Sequence, residues 1–237
     1  MRRDALLLIG HGSARYPDAG RPLLAHADAI REENHFAEVA TGFLNGAPSV
    51  ADALAALRAP KIHVVPFFME DGYFTQVAVP KALAAHGSRD IRLHAPVGTQ
   101  AAMAATIEAR VRRDVAIDPA LLALVLIGHG SGRNPGQPMA LHRHAATLGE
   151  GKRFGSVQVA FLEEAPSVEN VLAALRGHPV AVLGCFANDG KHVRDDLPRL
   201  IAAEQAIRGA RSPPLHGLGT IADDIGMRGL ILRRLGT

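Results

Sequence analysis

One six-residue segment, LIGHGS, occurs twice in the chain, at residues 8–13 and again at residues 126–131. Each copy closes a short run of apolar residues. An apolar run that ends at glycine is typical of a buried strand in a parallel sheet. Ligands bind beyond the carboxyl ends of such strands, so we predict that His11 and His129 lie where chemistry takes place.

The repeat continues far beyond this segment, at a constant spacing of 118 residues. Matched segments are A-P-S-V, L-A-A-L-R and an Asp-Gly pair, at residues 47–50 and 165–168, 54–58 and 172–176, and 71–72 and 189–190. Such self-similarity indicates a duplicated domain. We therefore predict an N-terminal domain at residues 1–116 and a C-terminal domain at residues 117–237, each of ordinary domain size.

Within each half, apolar strand-like segments alternate with segments of helical periodicity. The predicted strands are 4–9, 37–44, 62–68 and 91–94, then 121–127, 155–162, 179–186 and 215–217. The predicted helices are 21–33, 48–58, 76–86 and 100–113, then 138–148, 167–176, 191–207 and 221–235. This alternation predicts the α/β class: two tandem Rossmann-like domains, each with a parallel sheet.

Composition narrows the classes of function. The formal charge is only +3, and the basic residues are scattered without interleaved aromatic side chains, which argues against a nucleic-acid partner. No apolar stretch is long enough to span a membrane. The first apolar run is too short for a signal peptide and recurs as a strand in the second half. With Cys185 as the single cysteine, we expect a cytoplasmic protein without a disulfide.

Three loops in each half follow strands and are predicted to meet at one edge of the sheet. In the second half they carry His129, Glu163 and His192, and the matched first-half positions carry His11, Asn45 and Phe74. Two imidazoles and a carboxylate suit a divalent transition metal with further positions open. Neutral imidazole also accepts protons near neutral pH. We therefore predict that the second half is reactive and that the first shapes a pocket.

Structural alternatives remain open for several of these side chains. His129 and His192 are also compatible with ordinary polar loop positions, and Glu163 with an acid at a helix N-terminus before Pro166. Buried, solvent-facing or strand-end roles are alternatives for the remaining recurring histidines, which are His26, His144, His94 and His216. An α/β-hydrolase is disfavoured because no serine lies in a G-x-S-x-G elbow.

The combined motifs identify a family. GHGS after the first strand, FLE-x-A-P-S after the second and DG-x-H-x₃-D-x-P after the third resemble the class II chelatases of tetrapyrrole synthesis. Within that class, the chain resembles the sirohydrochlorin cobaltochelatases and ferrochelatases in their two-domain form. The resemblance covers nearly the whole chain. It implies two chelatase-fold domains that face one another, with the tetrapyrrole in the active-site cleft between them.

The resemblance also implies roles for single residues. His129, Glu163 and His192 would be the metal-binding and catalytic residues, with the histidines accepting pyrrole protons. The residues expected to contact substrate are His11, Ser13, Arg15, Ser131, Arg133 and Lys191. The implied reaction is ATP-independent insertion of Co²⁺ into sirohydrochlorin, on the route to cobalamin. Alternatives are Fe²⁺ insertion for sirohaem, and a non-catalytic metal or tetrapyrrole carrier.

The expected partners are correspondingly few. The divalent metal is a substrate, and no organic cofactor is expected. Besides the tetrapyrrole we expect no nucleic acid and no membrane, and the chain would be a monomer or a homodimer.

Overall fold

The computed structural model describes residues 3–84, 90–130 and 139–235, which form two four-stranded parallel sheets with intervening helices. The elements of the first half are β1 (Ala5–Gly12), α1 (Arg21–Glu32), β2 (Glu38–Asn45), α2 (Val50–Ala56), β3 (Lys61–Pro66), α3 (Val79–Ala84), β4 (Asp90–Leu93) and α4 (Met103–Asp114). Its strands lie in the order β2-β1-β3-β4. Strand β1, which carries the first GHGS, is therefore an interior strand of the sheet.

The second half repeats this plan. Its elements are β5 (Ala123–Gly128), α5 (Met139–Glu150), β6 (Ser156–Phe161), α6 (Val168–Ala174), β7 (Val180–Gly184), α7 (Leu197–Arg208), β8 (Leu215–Thr220) and α8 (Gly226–Arg234). The strand order is β6-β5-β7-β8, and every pairing is parallel. No helix in the described part of the chain is both long and apolar enough to cross a bilayer.

Strand β1 lies in the middle of the first core and strand β5 in the middle of the second. Residues 5–9 of β1 and residues 124–127 of β5 are completely buried, on both faces of their sheets. A strand covered on both faces must be apolar throughout, which explains why these runs do not alternate with polar residues. Burial of each leucine stabilises the fold by about 2 kcal/mol. The predicted α/β class with parallel sheets is confirmed.

Two predicted helices begin with a different kind of turn. Residues Phe74–Ala78 and His192–Asp196 form π-helical turns, in which the amides of Val79 and Leu197 bond to the carbonyls of Phe74 and His192. Pro80 and Pro198 lie two residues after these turns. Proline has no amide hydrogen for a regular α-helical hydrogen bond, which favours the wider π-helical turn. The last helix also starts later than predicted, at Gly226, after a 3₁₀ turn at Ile221–Asp223.

The compact units of the structure do not coincide with the two sequence repeats, because the last helix of each repeat belongs to the other unit. One unit contains Met1–Gln100, Ala187–Gly190 and Ile225–Thr237, and the other contains Ala101–Phe186 and Lys191–Asp224. Helix α8 therefore belongs to the first unit, where Arg228 Nε lies 3.0 Å from Glu33 Oε1. Helix α4 belongs to the second unit. The repeat boundary near residue 116 stays a proposal about the sequence duplication.

A pair of histidines, the buried His63 and the partly buried His94, lies in the first unit. His63 Nε2 is 3.0 Å from Asp4 Oδ2, and His63 Nδ1 is 3.0 Å from His94 Nε2. The two imidazoles are stacked, with ring centroids 5.3 Å apart. His94 thus takes part in a structural hydrogen-bond network.

Acid pH is expected to destabilise the protein through His94. Burial lowers the pKa of His94 to about 4, with additional lowering by the nearby charges of His63, Arg92, Arg234 and Lys61. In the unfolded chain this imidazole has its ordinary pKa of about 6.5. Between these values the unfolded state binds more protons, so the stability that is complete above about pH 6.5 decreases towards pH 4.

Urea unfolding at pH 7 and at pH 5 tests this expectation. His94→Gln keeps a hydrogen-bonding side chain but no titrating group, and should lose less stability between the two pH values than the wild type. His178→Gln, at an exposed position, is the matched control and should behave like the wild type. An unchanged pH dependence in His94→Gln would contradict the assignment.

Candidate metal site

Three neighbouring strands bring His129, Glu163 and His192 together. The β5–β6 ladder continues past the strands, because the Glu163 amide donates to the His129 carbonyl over 3.0 Å. His192 begins the π-helical turn that follows β7. One ligand atom from each of the three side chains lies within 4.8 Å of the other two. The structure therefore assembles the predicted ligand set at the carboxyl edge of the second sheet.

Hydrogen bonding fixes the tautomer of His129. Its Nδ1 lies 3.0 Å from the carbonyl oxygen of Gly130, which can only accept, so Nδ1 carries the hydrogen. In the neutral ring Nε2 then keeps its lone pair, and it lies 3.6 Å from Glu163 Oε1. The side chains of His129 and Glu163 are 50% and 54% exposed, so both are accessible to a ligand.

His192 is oriented in a similar way, but by a carboxylate. Its Nδ1 lies 2.9 Å from Asp196 Oδ2, across the π-helical turn. With Nδ1–H donated to Asp196, the Nε2 lone pair is available to a metal, as in the carboxylate–histidine pairs of known metal sites. The His192 ring also stacks on Phe186 at 5.8 Å and meets the His129 ring edge-on at 4.7 Å.

Asp196 remains a carboxylate in this setting. Burial is the largest influence and raises its pKa, but the hydrogen bond from His192 and the charge of Lys191 outweigh it, so the pKa is lowered. Lys191 Nζ lies 3.6 Å from Asp196 Oδ1. Sequence reasoning missed this residue, although the D-x-P part of the third motif contains it. Its position four residues after His192 was the available signal.

The matched edge of the first sheet has the same ring arrangement without the ligands. His11 Nδ1 donates to the Gly12 carbonyl at 2.8 Å, and the Phe74 ring meets His11 edge-on at 4.5 Å. Asn45 Nδ2 lies 3.4 Å from His11 Nε2 and donates to its lone pair. The described side chains at these three positions thus offer one imidazole, already hydrogen-bonded, and no carboxylate.

The predicted substrate contacts have local roles as well. Ser13 Oγ accepts a hydrogen bond from the Tyr16 amide at 3.0 Å, and the exposed Arg15 guanidinium lies 5.6 Å from the centre of the Tyr16 ring. Lys191 is exposed beside Asp196. Ser131 and Arg133 lie outside the described residues. Contact of these five residues, and of His11, with a substrate stays a prediction.

The alternatives left open by the sequence are partly resolved. Glu163 precedes the helix cap Ser167 by four residues, so it is not in the first turn of α6. His26 and His144 are buried within α1 and α5. His216 lies in β8 and has a buried Nε2 without a hydrogen-bond partner among the described residues. Cys185 is partly buried, because it lies just beyond the end of β7.

Comparison with known proteins agrees with the duplicated architecture. The sequence model of the CbiX family matches the chain twice, over residues 5–114 and 123–231. The chain belongs to the CbiX family. This confirms the resemblance to class II chelatases that the three motifs indicated.

Individual relatives extend this result. A Halobacterium salinarum protein described as a probable sirohydrochlorin cobaltochelatase is 31% identical over 223 residues, covering 82% of this chain and 75% of that protein. The Deinococcus radiodurans protein DR2241, a multi-domain protein with structural similarity to chelatases, superposes with a TM-score of 0.84 at 26% identity. That alignment covers 97% of this chain but only 54% of DR2241, so the chain spans about half of it.

A third relative shows the fold alone. SirB from Bacillus subtilis, solved with Fe³⁺, superposes with a TM-score of 0.82 at 20% identity, over 100% of this chain and 95% of SirB. The two-domain chelatase fold is thus shared across the full length of the chain.

Proposed function

We propose that this chain is a sirohydrochlorin chelatase that inserts Co²⁺ into the macrocycle without ATP. The observation that carries the proposal is the group of two imidazoles and one carboxylate, exposed at His129 and Glu163 and partly buried at His192, with ligand atoms within 4.8 Å of one another. Membership of the CbiX family and the Halobacterium relative support sirohydrochlorin as the tetrapyrrole. The description of that relative also favours cobalt over iron.

The ligand set suits a metal that must be bound and then released. Three protein ligands leave further coordination positions open for water or a pyrrole nitrogen. Because the His129 and Glu163 side chains are about half exposed, nothing in their own packing closes the site around the ion. Nitrogen and carboxylate ligands bind cobalt, iron and nickel alike, so this set does not by itself select one metal.

Insertion releases protons as well as consuming a metal ion. One divalent ion replaces the hydrogens of two pyrrole N–H groups, so two protons leave for each ion inserted. Once the metal has moved to the macrocycle, the Nε2 lone pairs of His129 and His192 are free to accept them. Glu163 lies 3.6 Å from His129 Nε2 and Asp196 lies 2.9 Å from His192 Nδ1, so a carboxylate stabilises each imidazolium.

Positively charged residues in the loops after β1 and β7 suit an anionic substrate. Sirohydrochlorin carries peripheral carboxylates. Arg15 is exposed in the loop after His11, and Lys191 is exposed directly before His192. Arginine and lysine pair with carboxylates by charge-assisted hydrogen bonds. We propose that these two residues help to hold the substrate rim, in addition to their local contacts.

An anaerobic insertion assay tests the function. The full chain is mixed with sirohydrochlorin and either Co²⁺ or Fe²⁺, and the absorbance change is compared with a reaction without protein. We expect faster insertion of Co²⁺, reduced by about 100-fold or more in His129→Ala because a ligand and proton acceptor are lost. The exposed His178→Gln variant is the control and should retain full activity.

The other outcomes are equally informative. Preferential insertion of Fe²⁺ would replace the cobalt assignment with a ferrochelatase of the same mechanism. Tight binding of sirohydrochlorin without acceleration by either metal would contradict the enzyme and indicate a carrier.

A further inference from the structure

The segment Ala187–Gly190, which directly precedes Lys191 and His192, is anchored to the first half of the chain. The Asp189 amide donates to the Ala19 carbonyl over 2.9 Å. The Asp189 carboxylate accepts a hydrogen bond of 2.8 Å from the Arg21 guanidinium. Both partners lie in the connection from β1 into α1, and they belong to the same compact unit as Asp189. The anchor therefore joins residues that are 168 positions apart in the sequence.

The matched aspartate of the first half is held differently. Asp71 accepts hydrogen bonds from its own π-helical turn, at 2.5 Å from Thr75 Oγ1 and 3.2 Å from Gln76 Nε2. The counterpart of Thr75 in the second half is Val193, which has no hydroxyl group. The second half thus differs from the first at this support, because Asp189 takes a charged partner, Arg21, from the other half.

The two members of this ion pair differ strongly in burial. The Asp189 side chain is only 8% exposed, whereas that of Arg21 is 71% exposed. A nearly buried carboxylate depends on its hydrogen-bond partners, since an unpaired buried charge is costly. Arg21 lies at the surface end of the pair, so it can be changed without opening a cavity.

We propose that Arg21 is a positioning residue for His192 and that it acts through Asp189. The π-helical turn that begins at His192 is tied at its far end by the bond from His192 to Asp196. Asp189 lies three residues before His192 and fixes the near end of the same loop. Loss of the Arg21 contact weakens this support while the backbone bond to Ala19 remains, so that the Nε2 atom of His192 is held less closely to the other two ligands. The inference rests on the proposed function only in taking His192 as a metal ligand.

Binding of Co²⁺ alone to the full chain, followed by its visible absorption, tests the proposal. Arg21→Ala should weaken Co²⁺ binding by about tenfold, the usual lower range for loss of an outer-sphere support. Its Co²⁺ absorption spectrum should also change, because the ligand geometry changes. Arg21→Lys can still reach Asp189 with one N–H donor and should restore most of the affinity. Arg31→Ala, in the same helix, is the control and should bind like the wild type.

A double-mutant cycle separates this role from direct substrate contact. If the pair acts as a unit, Asp189→Asn should weaken Co²⁺ binding as Arg21→Ala does, and the double variant should be no worse than either. In insertion assays, Arg21→Ala should lower kcat and leave the KM for sirohydrochlorin unchanged. Should Asp189→Asn fail to fold, Arg21→Ala and Arg21→Lys alone decide the matter, because Arg21 is exposed.

Two results would overturn the inference, and they are distinguishable. Wild-type Co²⁺ affinity in Arg21→Ala together with a raised KM would show that Arg21 binds a substrate carboxylate directly. A wild-type chain that binds no Co²⁺ in a His129-dependent manner would contradict the proposed metal site itself, and this inference with it.

Discussion

His192→Ala is expected to abolish metal insertion, whereas Phe74→Ala at the matched position of the first half should retain most of it. His192 supplies a metal ligand and a proton acceptor, and its loss leaves one imidazole and one carboxylate at the site. Loss of a catalytic acid–base group typically costs about 10²–10⁴-fold in rate. Phe74 offers no lone pair and packs edge-on against His11, so its removal should mainly loosen local packing.

These two variants form a matched pair because their surroundings are nearly equal. The ring centroids are 4.7 Å apart for His129 and His192 and 4.5 Å apart for His11 and Phe74, and both pairs are perpendicular. Insertion rates and Co²⁺ affinity should be measured for both variants under the same conditions. Equal losses of insertion would contradict the assignment of the reactive set to the second half. Loss of Co²⁺ binding in His192→Ala alone would support it.

The sequence was sufficient to predict that His129, Glu163 and His192 lie together. Parallel strands present their carboxyl ends at one edge, so residues that follow three adjacent strands must converge. The repeat supplied the alignment that placed Asn45 opposite Glu163 and Phe74 opposite His192. What the repeat could not supply was the hydrogen bonding. The donation from Asn45 to His11 and from His192 to Asp196 depends on side-chain rotamers that sequence spacing does not determine.

Other features were beyond sequence reasoning because they depend on long-range packing. The apolar face of α8, with Met227, Leu230 and Ile231 buried, could cover either sheet as far as its periodicity is concerned. Only the structure shows that α8 belongs to the first unit and α4 to the second. The Arg21–Asp189 pair was missed for the same reason, since neither residue lies in a motif that points to the other.

A second charged network, inside the second unit, connects α7 to the end of α6. Arg176 makes two hydrogen bonds to Glu204, at 2.8 and 2.9 Å, and Arg208 Nε lies 3.3 Å from the same carboxylate. The bond from Arg176 is the main reason why the pKa of Glu204 is lowered, so Glu204 stays charged. Arg208 also donates to four backbone carbonyls, those of Leu172, Leu175, His178 and Pro213.

Arg208→Met should therefore lower the free energy of unfolding by about 3–5 kcal/mol, the usual loss when one member of a buried ion pair is removed. Methionine fills much of the same volume, so the loss arises from the missing donors rather than from a cavity. The Leu172 and Leu175 carbonyls would each lose one of their two hydrogen-bond donors, and Glu204 would keep its bonds from Arg176. Urea denaturation at pH 7, followed by circular dichroism, measures the change.

The control for this prediction is Arg199→Met, on the exposed side of the same helix. Surface substitutions of this kind change stability by about 0.5 kcal/mol or less. If Arg208→Met were no more harmful than Arg199→Met, the network would contribute no more than the apolar packing that replaces it. Because Arg208 contacts none of the three metal-site residues, folded Arg208→Met should bind Co²⁺ with wild-type affinity. The substitution thus tests the stability of the second unit separately from Co²⁺ binding by His129, Glu163 and His192.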